Sequence, residues 1–281
     1  MKKMLAVLFC LCLGCLCHAQ EVLAYTLDAA ATAAAPWEVG GVVAHGVVYE
    51  VSDIDQSKDL SRPDFVAQGV YRKFLGVTDQ GLYVAQEFFD EGDVKFTDPY
   101  QLVDAAYVTE ADFSANMTSK GGVSGRYVEW YLNAEKRYEA QYDGGVLQGE
   151  EKNWYSNGQL EGRRMFVDGT LAGESVHWYP NGNVMSRFEY EKGRLTGLAT
   201  QWYENGVKQE ERMYANDCES GMHTGWHRNG QKAFERWQVR CVSGQVMDPV
   251  PYGLWRWWDE QGNLIKEEDH GPMLPHLVQH P

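Results

Sequence analysis

The sequence predicts an all-β protein: an elongated antiparallel meander of stacked β-hairpins, each about 24 residues long, preceded by a smaller β-rich region. Three observations lead there. Trp130, Trp154, Trp178, Trp202 and Trp226 recur at a constant spacing of 24 residues. A glycine stands five residues ahead of each tryptophan, at Gly125, Gly149, Gly173, Gly197 and Gly221. After each tryptophan comes an asparagine (Asn133, Asn157, Asn181, Asn205, Asn229), and in four of the five copies a turn glycine follows it, at Gly158, Gly182, Gly206 and Gly230.

The chain opens on Met1-Lys2-Lys3 and an apolar run over residues 4–17, too short to span a bilayer as a permanent helix. This reads as a secretory signal over residues 1–19. Small residues at Cys17 and Ala19 favour cleavage after Ala19, with a periplasmic or secreted product. Lipoprotein processing at Cys15 is the rival, although Cys12 stands where it would need a branched aliphatic. No later stretch reaches the apolar length of a transmembrane helix.

Residues 20–119 form the N-terminal region. Its alanine-rich stretch 29–36 reads as a short helix or a linker, and the stretches after Gly40 as strands, with a turn at Asp79-Gln80-Gly81. Phe88-Phe89-Asp90-Glu91-Gly92 imitates the later aromatic-pair-to-glycine phrase and suggests a degenerate capping hairpin. Residues 107–117 suggest a short helix.

The repeat array occupies residues 120–270 in six units, with a tail at 271–281. Tyr131, Tyr155, Tyr179, Tyr203 and then His227 follow the tryptophans, and Asn-Gly predicts a tight type I′ turn. A second turn falls near Asp168-Gly169 and Lys192-Gly193. Strand alternation puts the Trp and Tyr columns on opposite faces. A sixth copy, with Trp258 and Gly262, comes 32 residues after Trp226, beyond an insertion holding Pro249 and Pro251. The aromatic columns serve either as the glue of a thin sheet or as a binding surface.

The chain carries 25 Lys and Arg against 40 Asp and Glu, a net charge of −15. Such acidity disfavours nucleic acid and anionic lipid. No catalytic, cofactor or metal motif stands out. His177, His223 and His227 read as surface histidines in polar strands, because strand residues four apart lie about 13 Å from each other. Four cysteines leave with the signal; Cys218 and Cys241 fall at the same inter-unit turn in successive repeats, which predicts a disulfide.

The phrase G-x-x-x-x-W-Y-x-N-G, closed by G-x-L-x-G, resembles the bacterial variant of the MORN repeat found in proteins often labelled YwqK-family antitoxins. The resemblance covers about residues 121–270. It implies a twisted single sheet of hairpins that contacts protein or lipid rather than performing catalysis. The expected function is that of an exported, non-enzymatic protein that binds another protein, as an immunity or antitoxin-like factor against a basic toxin. The alternative is a scaffold or spacer of the cell envelope.

Overall fold

The computed structural model describes residues 26–51, 65–110, 121–242 and 245–273. The expected signal, most of the helix expected at 107–117 and most of the tail lie outside the described residues. The chain divides into two units, residues 1–115 with 121–127, and residues 116–120 with 128–281. No helix among the described residues is long and apolar enough to cross a membrane.

In the N-terminal unit the alanine-rich stretch forms a helix, α1 (Ala29–Ala34). Asp28 caps it, its carboxylate accepting from the backbone of Ala30 at 2.8 Å and Ala31 at 3.0 Å, and the helix stops ahead of Pro36. Strands β1 (Val42–Val51), β2 (Phe65–Val77), β3 (Tyr83–Phe89), β4 (Tyr100–Leu102) and β5 (Val123–Trp130) pair antiparallel in chain order. Val70, Phe74, Val84, Phe89 and Tyr100 bury their side chains in its core. A 3₁₀ turn at Ala105–Val108 follows β4. The turn after Phe89 is wider than the repeat phrase suggested: Phe89 N donates to Val94 O, and both Gly92 and Asp93 take positive φ.

The second unit begins within β5 and continues as β6 (Lys136–Asp143), β7 (Val146–Trp154), β8 (Leu160–Val167), β9 (Thr170–Leu171), β10 (Gly173–Trp178), β11 (Val184–Glu191) and β12 (Arg194–Trp202). It ends with β13 (Lys208–Ala215), β14 (Cys218–Trp226), β15 (Lys232–Val242), β16 (Gln245–Trp258) and β17 (Leu264–Asp269). From β6 onward each strand pairs antiparallel with its neighbours in chain order, β9 and β10 both lying against β8. This is the expected antiparallel meander of hairpins.

The turns are distributed differently from the expectation. At the Asn-Gly end, Tyr155 N donates to Gln159 O, and Gly158 N donates to Tyr155 O, both at 2.9 Å. Only the glycine takes positive φ, at 80°; the asparagine does not. The loop is therefore the three-residue kind, with the glycine in the left-handed bulge position, rather than a type I′ turn. Gly182, Gly206, Gly230 and Gly262 repeat it. Two-residue turns with both positions at positive φ lie at the opposite end of the hairpins, at Gly144-Gly145, Asp168-Gly169, Lys192-Gly193 and Asn216-Asp217. There the flanking residues, such as Val167 and Thr170, are paired directly.

In the first hairpin an alanine, Ala134, occupies the bulge position with φ 65°. A Cβ in that conformation costs on the order of 1 kcal/mol or more, partly offset by the greater unfolded-state freedom of glycine. Ala134→Gly is accordingly expected to raise stability by up to about 1 kcal/mol, read as a higher urea midpoint with an unchanged slope. A lower midpoint would contradict the turn assignment.

Candidate interaction surface

Each hairpin is bound to the next by side chains from its turn. The hydroxyls of Tyr131, Tyr155, Tyr179 and Tyr203 donate to the carbonyls of Trp154, Trp178, Trp202 and Trp226 at 2.7–2.9 Å. His227 Nε2 makes the same contact to Trp258 O at 2.8 Å. Beside them, the amides of Asn133, Asn157, Asn181, Asn205 and Asn229 donate to the backbone carbonyl one turn further along. Each asparagine oxygen meanwhile accepts from the backbone N–H two residues on, closing its own turn.

The tyrosines do not sit in strands. Every repeat tryptophan is the last residue of its strand, and the tyrosine after it opens the turn, so strand alternation does not set its direction. Its hydroxyl is committed to the neighbouring repeat. Tyr179→Phe is expected to cost about 1 kcal/mol, the usual net worth of one such bond, with no change in the far-ultraviolet spectrum. No loss would mean that the ladder is incidental. The ladder stops at the last described hairpin, where Asp259 replaces the tyrosine and accepts from Gln261 N and Asn263 N within its own turn.

Trp130, Trp154, Trp178, Trp202, Trp226 and Trp258 are half-buried. Lysines lie over three of the indoles: Lys136 over Trp154, Lys208 over Trp226 and Lys232 over Trp258, each about 5 Å from the ring. Each of these lysines also pairs with a glutamate three residues on. The indole column is thus partly roofed by paired cations.

A second row, not visible in the sequence, crosses the same sheet. Leu198 pairs with Met213, Met222 with Trp237, and Leu254 with Asp269. Arg212 pairs with His223, and across the register irregularity that follows Met213 lies against the position of Gly221, the residue before Met222. Trp237 faces the segment from Tyr252 to Leu254 and contacts the Tyr252 ring at 5.9 Å. Leu198, Met213, Met222, Trp237 and Leu254 therefore form one line over β12–β16, each 38–48 % exposed.

His223 departs from the surface-histidine expectation, being 2 % exposed. Its Nε2 lies 3.1 Å from Glu210 Oε2 and 3.2 Å from Arg212 Nε, and its Nδ1 lies 3.5 Å from Glu219 Oε1 and 3.1 Å from Arg236 Nη2. Phe234 packs edge-on against the ring at 4.9 Å, in the space left by Gly225, where a Cβ would come within 2.3 Å of Phe234. Two carboxylates and two guanidiniums balance around one imidazole. The hydrogen bond from His223, followed by the Arg212 pair, holds the Glu210 carboxyl down at about 2, against an ordinary 4.5. A depressed carboxyl contributes stability above its unfolded value and loses it as pH falls. Melting temperatures should therefore drop as pH is lowered from about 4.5 to about 2, and Glu210→Gln should flatten that part of the profile. A Gln variant with an unchanged acid limb would refute the assignment.

Cys218 is buried at the start of β14, and Cys241 lies near the end of β15, its side chain outside the description. Among the described residues no three His, Cys, Asp or Glu side chains converge as a metal site. No curated protein matches the chain. The family model described as "MORN repeat variant" matches residues 147–168, 171–192, 195–216 and 251–270, which fall on successive hairpins of the meander and on its last one. Four hairpins of the array are thus similar to the MORN repeat variant.

Proposed function

We propose that the protein is exported and acts without catalysis, binding another protein through one face of its repeat sheet. The observation that supports this reading is the exposed row of Leu198, Met213, Met222, Trp237 and Leu254. Contiguous large apolar side chains in solvent, rimmed by polar ones, mark interaction sites on soluble proteins. An acidic surface suits a basic partner, which is the basis for an immunity or antitoxin-like role against a basic toxin. The test is calorimetric titration of the mature protein with the product of any toxin gene found adjacent to its own, alongside protection of cells expressing that product. Failure of both ends the antitoxin reading.

The turn ladders favour a second reading, a rigid spacer of the envelope, since both the tyrosine and the asparagine contacts lock one hairpin to the next. Affinity capture from periplasm separates the two. A dedicated inhibitor retains one stoichiometric partner, a spacer several or none.

Export to an oxidising compartment also supports the Cys218–Cys241 disulfide. Ser220 pairs with Val239, and the same register continued by two residues sets Cys218 opposite Cys241. Directly opposed antiparallel residues lie within the Cα separation a disulfide spans. Peptide mapping without reduction returns the linked pair if this holds, and two free thiols if it does not.

A further inference from the structure

The geometry points to the occupant of the apolar row: an amphipathic helix of a partner protein, carrying basic residues at both of its ends. This rests on the protein-binding reading above and names its site. The row runs across the strands rather than along them. Strands β12–β16 are each paired on both sides, so no backbone edge is open there for an added strand, and only side chains can be recognised. A partner must therefore present its own apolar line.

The dimensions fit a helix. Five adjacent strands at about 4.8 Å spacing set the apolar line at about 19 Å. At 1.5 Å rise per residue that is about 13 helical residues, or apolar side chains at i, i+4, i+7 and i+11. Two thioethers, Met213 and Met222, are second and third of the five, and unbranched methionine adapts to the shape of an incoming side chain.

Charge sets the ends. One strand beyond Leu198, past a register irregularity, Glu189 pairs with Thr196 and its Cβ lies against the position of Gly197, the residue before Leu198. One strand beyond Leu254, Asp269 is paired with it directly. Both are exposed, and neither has an ion-pair partner among the described residues. The row thus reads acid, five apolar side chains, acid, over about 29 Å, or about 19 helical residues. A second copy of this chain would bring carboxylates against carboxylates, and an anionic bilayer would repel both ends. A helix with lysine or arginine at each end matches.

The experiment uses the mature full chain and a labelled synthetic 19-residue helix-forming peptide. The peptide carries leucines at i, i+4, i+7 and i+11 and two lysines at each end, and binding is followed by fluorescence anisotropy. Tighter binding than to a peptide of the same composition with the leucines moved around the helix is expected. Met222→Lys should weaken binding by at least about tenfold. The double variant Glu189→Lys, Asp269→Lys should instead prefer a glutamate-ended peptide. All three positions are exposed, so the fold is retained.

Equal binding of the two lysine-ended peptides, or indifference to Met222→Lys, overturns the proposal. So does wild-type self-association in sedimentation that Met222→Lys abolishes, because a second copy is then the occupant. Binding of phosphatidylcholine–phosphatidylglycerol vesicles that Met222→Lys abolishes does the same in favour of a membrane. If a partner found by titration binds wild type and Met222→Lys equally, this site falls while the protein-binding reading stands.

Discussion

Arg72→Met is expected to destabilise the N-terminal unit by about 3–5 kcal/mol, the loss typical when one partner of a buried ion pair is removed. Arg72 is 5 % exposed and Glu87 2 %. The guanidinium donates from Nε and Nη2 to Glu87 Oε1, at 3.0 Å and 2.7 Å. Its Nη1 donates to the carbonyls of Tyr107, Val108 and Glu110, at and just beyond the end of the 3₁₀ turn. Tyr100 adds a 2.6 Å hydrogen bond to the same carboxylate oxygen. Burial, and after it the Glu87 charge, keeps that hydroxyl protonated well above the ordinary phenol range, so it stays a donor.

Methionine fills the volume but supplies none of these donors. Glu87 would keep Tyr100 yet lose its cation, and three carbonyls would lose theirs. Arg72→Lys is expected to recover little, because an ammonium cannot reach a carboxylate and three carbonyls with one planar fork. Urea unfolding of the full chain checks both variants. A lysine variant as stable as wild type would show that charge alone, and not the fork, holds this corner.

What the sequence made legible follows from the period. A tryptophan every 24 residues, flanked by glycines at fixed offsets, predicted strands, turns and a meander, and those are present. Turn type was not legible in the same way. Asn-Gly signals residues that tolerate positive φ, but the kind of turn depends on how many residues separate the first paired positions, which only the register shows. Tyr155 N bonded to Gln159 O makes the loop one residue longer than a type I′ turn.

The apolar row was hidden for a related reason. The pairings of β11 with β12 and of β13 with β14 each carry a register irregularity, near Gly197 and Gly221. A bulge inserts an unpaired residue, so simple alternation misassigns the face beyond it. Leu198 and Met222 each follow a bulge glycine directly. His223 shows the same limit: its burial comes from Arg212 and Glu210 on β13 and Arg236 on β15, and no local pattern announces those neighbours.

Arg164→Ala should produce the second large loss, in the repeat array. Glu151 is 1 % exposed, and its Oε2 accepts from Arg164 Nε at 2.6 Å, while Oε1 has no hydrogen-bond partner. The ion pair is therefore what compensates this carboxylate. Close by, the hydroxyls of Tyr138 and Tyr142 bond to each other at 2.7 Å. Burial raises both phenols far above their ordinary value, and the charges of Glu151 and Glu129 add to it, so both hydroxyls stay neutral and supply no counter-charge. Without Arg164, a buried charge remains with no cation beside it, at a cost of about 3–5 kcal/mol at neutral pH. A double variant, Glu151→Leu with Arg164→Met, should lie much closer to wild type than the single one, because no charge is left to compensate. A loss below about 1 kcal/mol would show that the pair is not what holds β7 against β8.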